Sequence, residues 1–226
     1  MADLETSNRR PLAVRRWTLF EKLAARIADA GVTPNAISVS SMVFGCGAGA
    51  CLALTSRTDA FSAGQRACWL AAAALVQLRL IANLLDGMVA IEGGKKSAVG
   101  ELYNEVPDRV SDTAILVGAG YAVGASPWMG YLAAVVALFV AYVRAIGAGV
   151  GAGQVFVGPM AKQQRMAVVT LAAVLLGVLP AAWTPAHDGG HGVMALALLL
   201  IVVGGVVTAV RRLRRIASFM KQSEPS

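Results

Sequence analysis

With 226 residues, 57% of them hydrophobic and only 15% charged, and a mean hydropathy of +0.63, the chain has too few polar side chains to clothe a water-soluble domain of its size. A net charge of +7 would suit a nucleic-acid binder, but the basic residues sort by loop around apolar stretches, so a membrane is expected and no nucleic-acid partner. Cys46, Cys51 and Cys68 show no CxxC pairing and no Cys/His ligand spacing, and read as small buried hydrophobes.

In chain order, the polar and basic residues 1–12 form a flexible N-terminus without the pattern of a cleaved signal peptide. Over 13–30, Trp17, Phe20, Leu23, Ala24 and Ile27 recur at helical spacing, with Arg15, Lys22 and Arg26 placed to snorkel. This predicts a juxtamembrane, interfacial amphipathic helix, although a cytosolic amphipathic helix has the same period; Gly31 ends it. A hydrocarbon core about 30 Å thick takes about 20 apolar residues per helix. Six stretches qualify, at about 36–55, 68–91, 101–124, 130–149, 165–183 and 192–211, within one membrane domain over 31–215. Residues 216–226 form a cytoplasmic tail. The predicted fold class is therefore all-α integral membrane, with six transmembrane helices plus the N-terminal helix.

Orientation follows from the loops. Arg9, Arg10, Arg15, Arg16, Lys22 and Arg26 precede the first span, Lys95 and Lys96 follow the second, and Lys162 precedes the fifth. Arg211, Arg212, Arg214, Arg215 and Lys221 follow the sixth. The opposite loops carry only Arg57 and Arg66 as basic residues, so both termini are expected on the cytoplasmic side of a cell (inner) membrane. The run RRLRR reads as that topology signal, with an anionic-lipid patch as the alternative. His187 and His191 flank Asp188, but without a third strong ligand they do not make a metal site.

Of the 13 acidic residues, Asp86, Glu92, Glu101, Glu105, Asp108 and Asp112 fall within 86–112, and the next is Asp188. A carboxylate at the centre of a span costs about 2.5–3.5 kcal/mol on insertion scales, so residues that expensive are expected to be functional. Arg79, Asn83, Asp86, Gly87 and Ala90 share one stripe of the second span; Gly100, Glu101, Asn104, Asp108 and Asp112 share one of the third. A short loop joins the spans, so they are expected to be antiparallel neighbours with converging polar faces. Oxygen ligands on facing helices suit a hard divalent cation that completes its shell with substrate phosphate. The residues alone thus predict a metal-assisted phosphate site at the cytoplasmic membrane surface.

The stretch NLLDGMVAIEGGKKSAVGELYNEVPD resembles the signature of the CDP-alcohol phosphotransferases, DxxDGxxAR, eight residues, then GxxxDxxxD. ThrProAsn at 33–35, YVRA at 142–145 and the Gly-rich loop before Lys162 and Arg165 are also similar to features of that family. The resemblance implies transfer of a phosphatidyl group from a CDP-alcohol such as CDP-diacylglycerol to an acceptor alcohol, with release of CMP, in phospholipid biosynthesis. It implies Mg²⁺ or Mn²⁺ held at Asn83, Asp86, Asn104 and Asp108, with Asp108 as the presumed base beside Asp86; the helical stripe, not the resemblance, adds Glu101 as a candidate ligand. Gly87, Ala90 and Gly100 would face the cytidine, Lys162 and Arg165 would suit an acceptor phosphate, and a homodimer is compatible with the family.

Asn83, Asn104 and Ile91 depart from the signature, replacing two Asp and an Arg. Each Asp-to-Asn change removes a negative charge, so a cation, and a second one especially, is held less tightly. Glu101 or Asp112 could restore charge on the stripe, and Pro107 could kink the helix and turn Glu105 inward. Arg79 is expected to pair with Asp112 or Asn83. Two alternatives stay open: a nucleotide- or lipid-binding pseudoenzyme of the same fold, and a small transporter or channel, which would spread polar residues over several spans.

Overall fold

A computed structural model describes residues 18–92, 100–180 and 191–222. Residues 1–17, Lys95 and Lys96, His187 and Asp188, and the side chains of Ile91, Glu92 and Glu101 lie outside the described part. Seven α-helices and no strand occur among the described residues: α1 (Thr18–Asp29), α2 (Pro34–Leu54), α3 (Ala63–Glu92), α4 (Gly100–Gly120), α5 (Pro127–Gly149), α6 (Lys162–Val178) and α7 (Val193–Gln222).

Helices α2 to α7 occupy the six expected spans. Four of them, α2, α3, α5 and α7, are long and apolar enough to cross a bilayer by length and composition. α4 is made polar by its ionic residues, and α6 has only 17 residues, with Lys162 and Arg165 in its first turn. α7 runs on to Gln222, well past the expected end at 211, because RRLRRIASFMKQ contains neither Gly nor Pro and good helix formers continue the spiral. Thirty residues make a helix about 45 Å long, so its basic third extends beyond a hydrocarbon core of about 30 Å. Val43, Val135, Leu171 and Leu196 are each more than 60% exposed, a surface suited to lipid rather than water.

The six helices close into a ring in the order α2, α3, α6, α7, α5, α4 and back to α2, with α4 also touching α7. The hairpin helices α3 and α4 were expected to be direct neighbours. Instead α2 packs along both of them, and they meet through their long polar side chains. The reason lies in α2, whose inner stripe is small: Ser38, Ser41, Gly45, Ala48 and Gly49 are all buried. A Cβ on Gly49 would stand 2.3 Å from the Ala114 carbonyl oxygen, and one on Gly118 would stand 2.2 Å from the Gly49 oxygen, so α2 and α4 touch backbone to backbone. Gly49→Leu is accordingly expected to cost at least about 3 kcal/mol, the upper range for overpacking, read as a lower unfolding midpoint of the detergent-solubilised protein. Thr33 caps α2, its Oγ1 accepting from the Ala36 amide at 3.3 Å, and Pro34 takes the first turn.

The core beneath the ring includes Leu52, Trp69, Val76, Ile115, Leu116, Met166, Leu198 and Ile201. α1 begins at Thr18 and docks its apolar face on the end of α3, with Ala24 fully buried among Ile37, Leu85, Met88 and Val89. The thiols are free, but Cys46 is exposed and Cys51 and Cys68 are half-buried, contrary to the buried reading. Where the surroundings are lipid, an apolar residue gains little by facing inward.

Candidate active site

Arg79 and Asn83 lie one turn apart on α3, and Asp86 one turn further along. Arg79 is completely buried, which demands partners, and it finds two on α4: its Nη2 donates to Asp108 Oδ1 at 3.0 Å and Asp112 Oδ1 at 2.6 Å. Arg165, 2% exposed, takes the other oxygen of Asp112 at 2.8 Å and reaches the Met160 carbonyl at 3.2 Å. Asp108 receives two more contacts, from Asn83 Nδ2 at Oδ1 and from Lys162 Nζ at Oδ2. One ionic network thus bridges α3, α4 and α6.

Asp86 is differently placed. Ser38 of α2 donates to its Oδ2 at 2.7 Å, while Oδ1 is buried and has no hydrogen-bond partner. Asp86 is close enough to Lys162 and Asp108 to feel their charges. Among the described residues no three His, Cys, Asp or Glu side chains converge on a point. The donor set nevertheless fits one divalent cation: the orphaned Asp86 oxygen and the amide oxygen of Asn83 supply hard ligands, with substrate phosphate to complete the shell.

Gly87, Ala90 and Gly100, near the facing ends of α3 and α4 in sequence, are half-buried, and Asn104 is exposed one turn before Asp108. Lys162 is the most accessible member of the network, with 27% of its side chain exposed, against 0% for Arg79. Arg79 pairs with Asp112 as expected, but its second partner is Asp108; Asn83 joins the network through Asp108. Pro107 lies inside a continuous α4 and does not turn Glu105 inward. Glu105 is 47% exposed on its side chain and bonds Arg109 at 3.1 Å and Arg144. Arg109 also comes within 3.8 Å of Asp108.

Three contributors were not singled out from the sequence. Ser38 belongs to the small stripe of α2, a pattern that signals close packing but not a bond to Asp86. Thr208 and Arg212 of α7 hold the loop that delivers Lys162. Thr208 Oγ1 accepts from the Met160 amide at 2.9 Å, and Arg212 donates to the carbonyls of Val157 and Val140 at 3.1 and 3.0 Å. Gly158, at φ +120°, passes so close to Thr208 that a Cβ would stand 2.5 Å from its methyl. Arg212 had been grouped with the topology-setting charges; its spacing from Gly204 and Thr208, four residues per step, was the available signal.

Fold and site together define an all-helical, membrane-type bundle with a buried carboxylate and cation centre near one end of its α3–α4 hairpin. Its architecture is that of phosphatidylinositol phosphate synthase (PgsA1) from Mycobacterium tuberculosis, a CDP-alcohol phosphotransferase. The structure of that enzyme with manganese and citrate aligns at a TM-score of 0.68 and 19% identity, covering 88% of each chain. Its structure with CDP-DAG bound gives 0.68 and 19% over 87% of this chain and 92% of that one. The apo form gives 0.66 and 19% over 87% and 95%. The sequence matches no protein-family model and no curated protein. At this identity the likeness establishes the fold.

Proposed function

We propose that the chain is a membrane-embedded transferase that moves a phosphatidyl group from a CDP-alcohol such as CDP-diacylglycerol to an acceptor alcohol, releasing CMP. The observation that carries this reading is the closure of Lys162 on Asp108, beside the unpartnered buried oxygen of Asp86, in the fold of an enzyme whose structure holds CDP-DAG. The acceptor oxygen forms a new bond to phosphorus, the bond from phosphorus to the CMP oxygen breaks, and the hydroxyl proton passes to Asp108. A hydroxyl reaching Asp108 must replace one of its contacts, and Lys162, the most exposed, is the one that can swing towards phosphate. Asp86, Asn83 and Asn104, with Glu101 as the further candidate, would hold Mg²⁺ or Mn²⁺, which would supply Lewis-acid chemistry to the diphosphate and offset the charge of the leaving CMP. Ser38 fixes the carboxylate of Asp86, and half-buried Gly87, Ala90 and Gly100 leave room for the cytidine. Arg165 serves here by holding Asp112, since its burial keeps it from an acceptor phosphate. The basic residues of α7 and Lys162 support a site and termini on the cytoplasmic side of an inner membrane.

A second reading, donor binding without turnover, is favoured by the engagement of both Asp108 oxygens by Arg79, Asn83 and Lys162. Purified protein given CDP-diacylglycerol, Mg²⁺ or Mn²⁺ and a panel of glycerol phosphate, inositol phosphate and serine is expected to release CMP with at least one acceptor. Silence with every acceptor, alongside retained CDP-diacylglycerol binding, would establish the second reading.

A further inference from the structure

We propose that the ammonium of Lys162 takes the place of a second divalent cation, so that this centre binds a single metal ion, at Asp86. The inference rests on the donor and cation set of the proposed function but concerns how this chain's own residues supply positive charge.

All four carboxylate oxygens of Asp108 and Asp112 are already engaged. Asp108 Oδ1 accepts from Arg79 and Asn83, and its Oδ2 accepts from Lys162 at 2.5 Å. Asp112 Oδ1 accepts from Arg79 and its Oδ2 from Arg165. Among the described residues, the buried carboxylate oxygen left over at the centre is Oδ1 of Asp86, a residue only 4% exposed. A buried acceptor in that state calls for a cation or a donor. One metal ion therefore has a ready ligand, whereas a second would have to evict a cation from Asp108.

Charge points the same way. Asp86, Asp108 and Asp112 are matched by Arg79, Lys162 and Arg165, while Arg109, 3.8 Å from Asp108, is itself paired with Glu105. One divalent ion makes the centre net positive, which suits a diphosphate; a second would add charge that no free carboxylate among the described residues of the centre offsets. Asn83 and Asn104, where the signature has Asp, remove the two negative charges that a second ion would need. Lys162 is suited to the substitution because it is a compact point charge on a flexible stem, held by Asp108 yet partly open to the site. Arg79 and Arg165, by contrast, are locked in the interior.

The test is a Mn²⁺ count by electron paramagnetic resonance and equilibrium dialysis on the metal-stripped full-length protein in nanodiscs, with saturating CDP. Wild type is expected to bind one Mn²⁺ per chain with no spin exchange between ions. Two exchange-coupled ions, or none, would overturn the proposal. Lys162→Ala leaves Asp108 Oδ2 with only the longer Arg109 contact at 3.8 Å and is expected to admit a second, coupled Mn²⁺, while Lys162→Arg keeps a close cation there and stays at one. If Lys162→Ala also stays at one, Lys162 does not occupy that place. CMP release by wild type separates the two ideas: turnover with two coupled ions sinks this inference and leaves the transferase standing, whereas one ion without turnover does the reverse.

Discussion

Replacing Asp108 by Ala is expected to lower CMP release from CDP-diacylglycerol by at least about 10³-fold, within the range that a positioned proton acceptor contributes. The residue is the meeting point of α3, α4 and α6, accepting from Arg79, Asn83 and Lys162 at once, so its loss removes the proposed proton acceptor and the close partner of Lys162. Asp86→Ala is expected to give a comparable loss by a different route, because it removes the buried oxygen that has no hydrogen-bond partner and leaves Ser38 only the Pro34 carbonyl as acceptor. Asp86→Ala should respond to added Mn²⁺, with partial recovery at high concentration, whereas Asp108→Ala should not. Chromatographic quantitation of CMP across a metal titration reads both, and a monodisperse elution profile in detergent shows that each variant still folds. Full activity in either variant would dismiss the site assignment.

Arg79→Leu should be the most destabilising polar substitution in the bundle, by about 3–5 kcal/mol, the usual cost of removing one partner from a buried ion pair. The guanidinium is completely buried and one nitrogen serves two carboxylates, so its removal leaves Asp108 leaning on Lys162 and Asn83, and Asp112 on Arg165 alone. The energy comes from uncompensated charge rather than from lost volume, since Leu fills much of the space. Arg79→Leu combined with Asp112→Leu should therefore recover much of the loss, a non-additivity that a double-mutant cycle of unfolding in mixed micelles would measure. If the single variant unfolds within about 1 kcal/mol of wild type, the pair contributes only what exposed ion pairs do.

Much of this architecture is legible in the linear chain because bilayer thickness imposes a length scale on apolar runs and a carboxylate in a span is too costly to be incidental. Helices α2 to α7 fall on the six expected stretches within a few residues at most ends, four of them long and apolar enough to cross a bilayer, and the polar stripe of α3 could be read from the steps linking Arg79, Asn83 and Asp86. The end of α7 was misjudged because apolarity stops at the membrane surface while helix propensity does not. The thiol of Cys46 was misplaced because hydrophobicity cannot tell a lipid-facing position from a core position.

What the sequence determined by itself is the inventory: which residues are too polar for lipid, on which helical faces they fall, and that Asn stands twice where the resembling signature has Asp. Which cation meets which carboxylate was decided only in three dimensions. Lys162 lies 54 residues from Asp108, Arg165 53 from Asp112, and Ser38 48 from Asp86, and no local period relates such distant positions. They meet because Gly45 and Gly49 let α2 press against α4 while α2 also packs along α3, and because Thr208 and Arg212 of α7 hold the loop that brings α6 to the same place. Side-chain periodicity is a property of one helix, whereas a charge network depends on how closely several backbones can approach, and that is set by the packing of the whole ring.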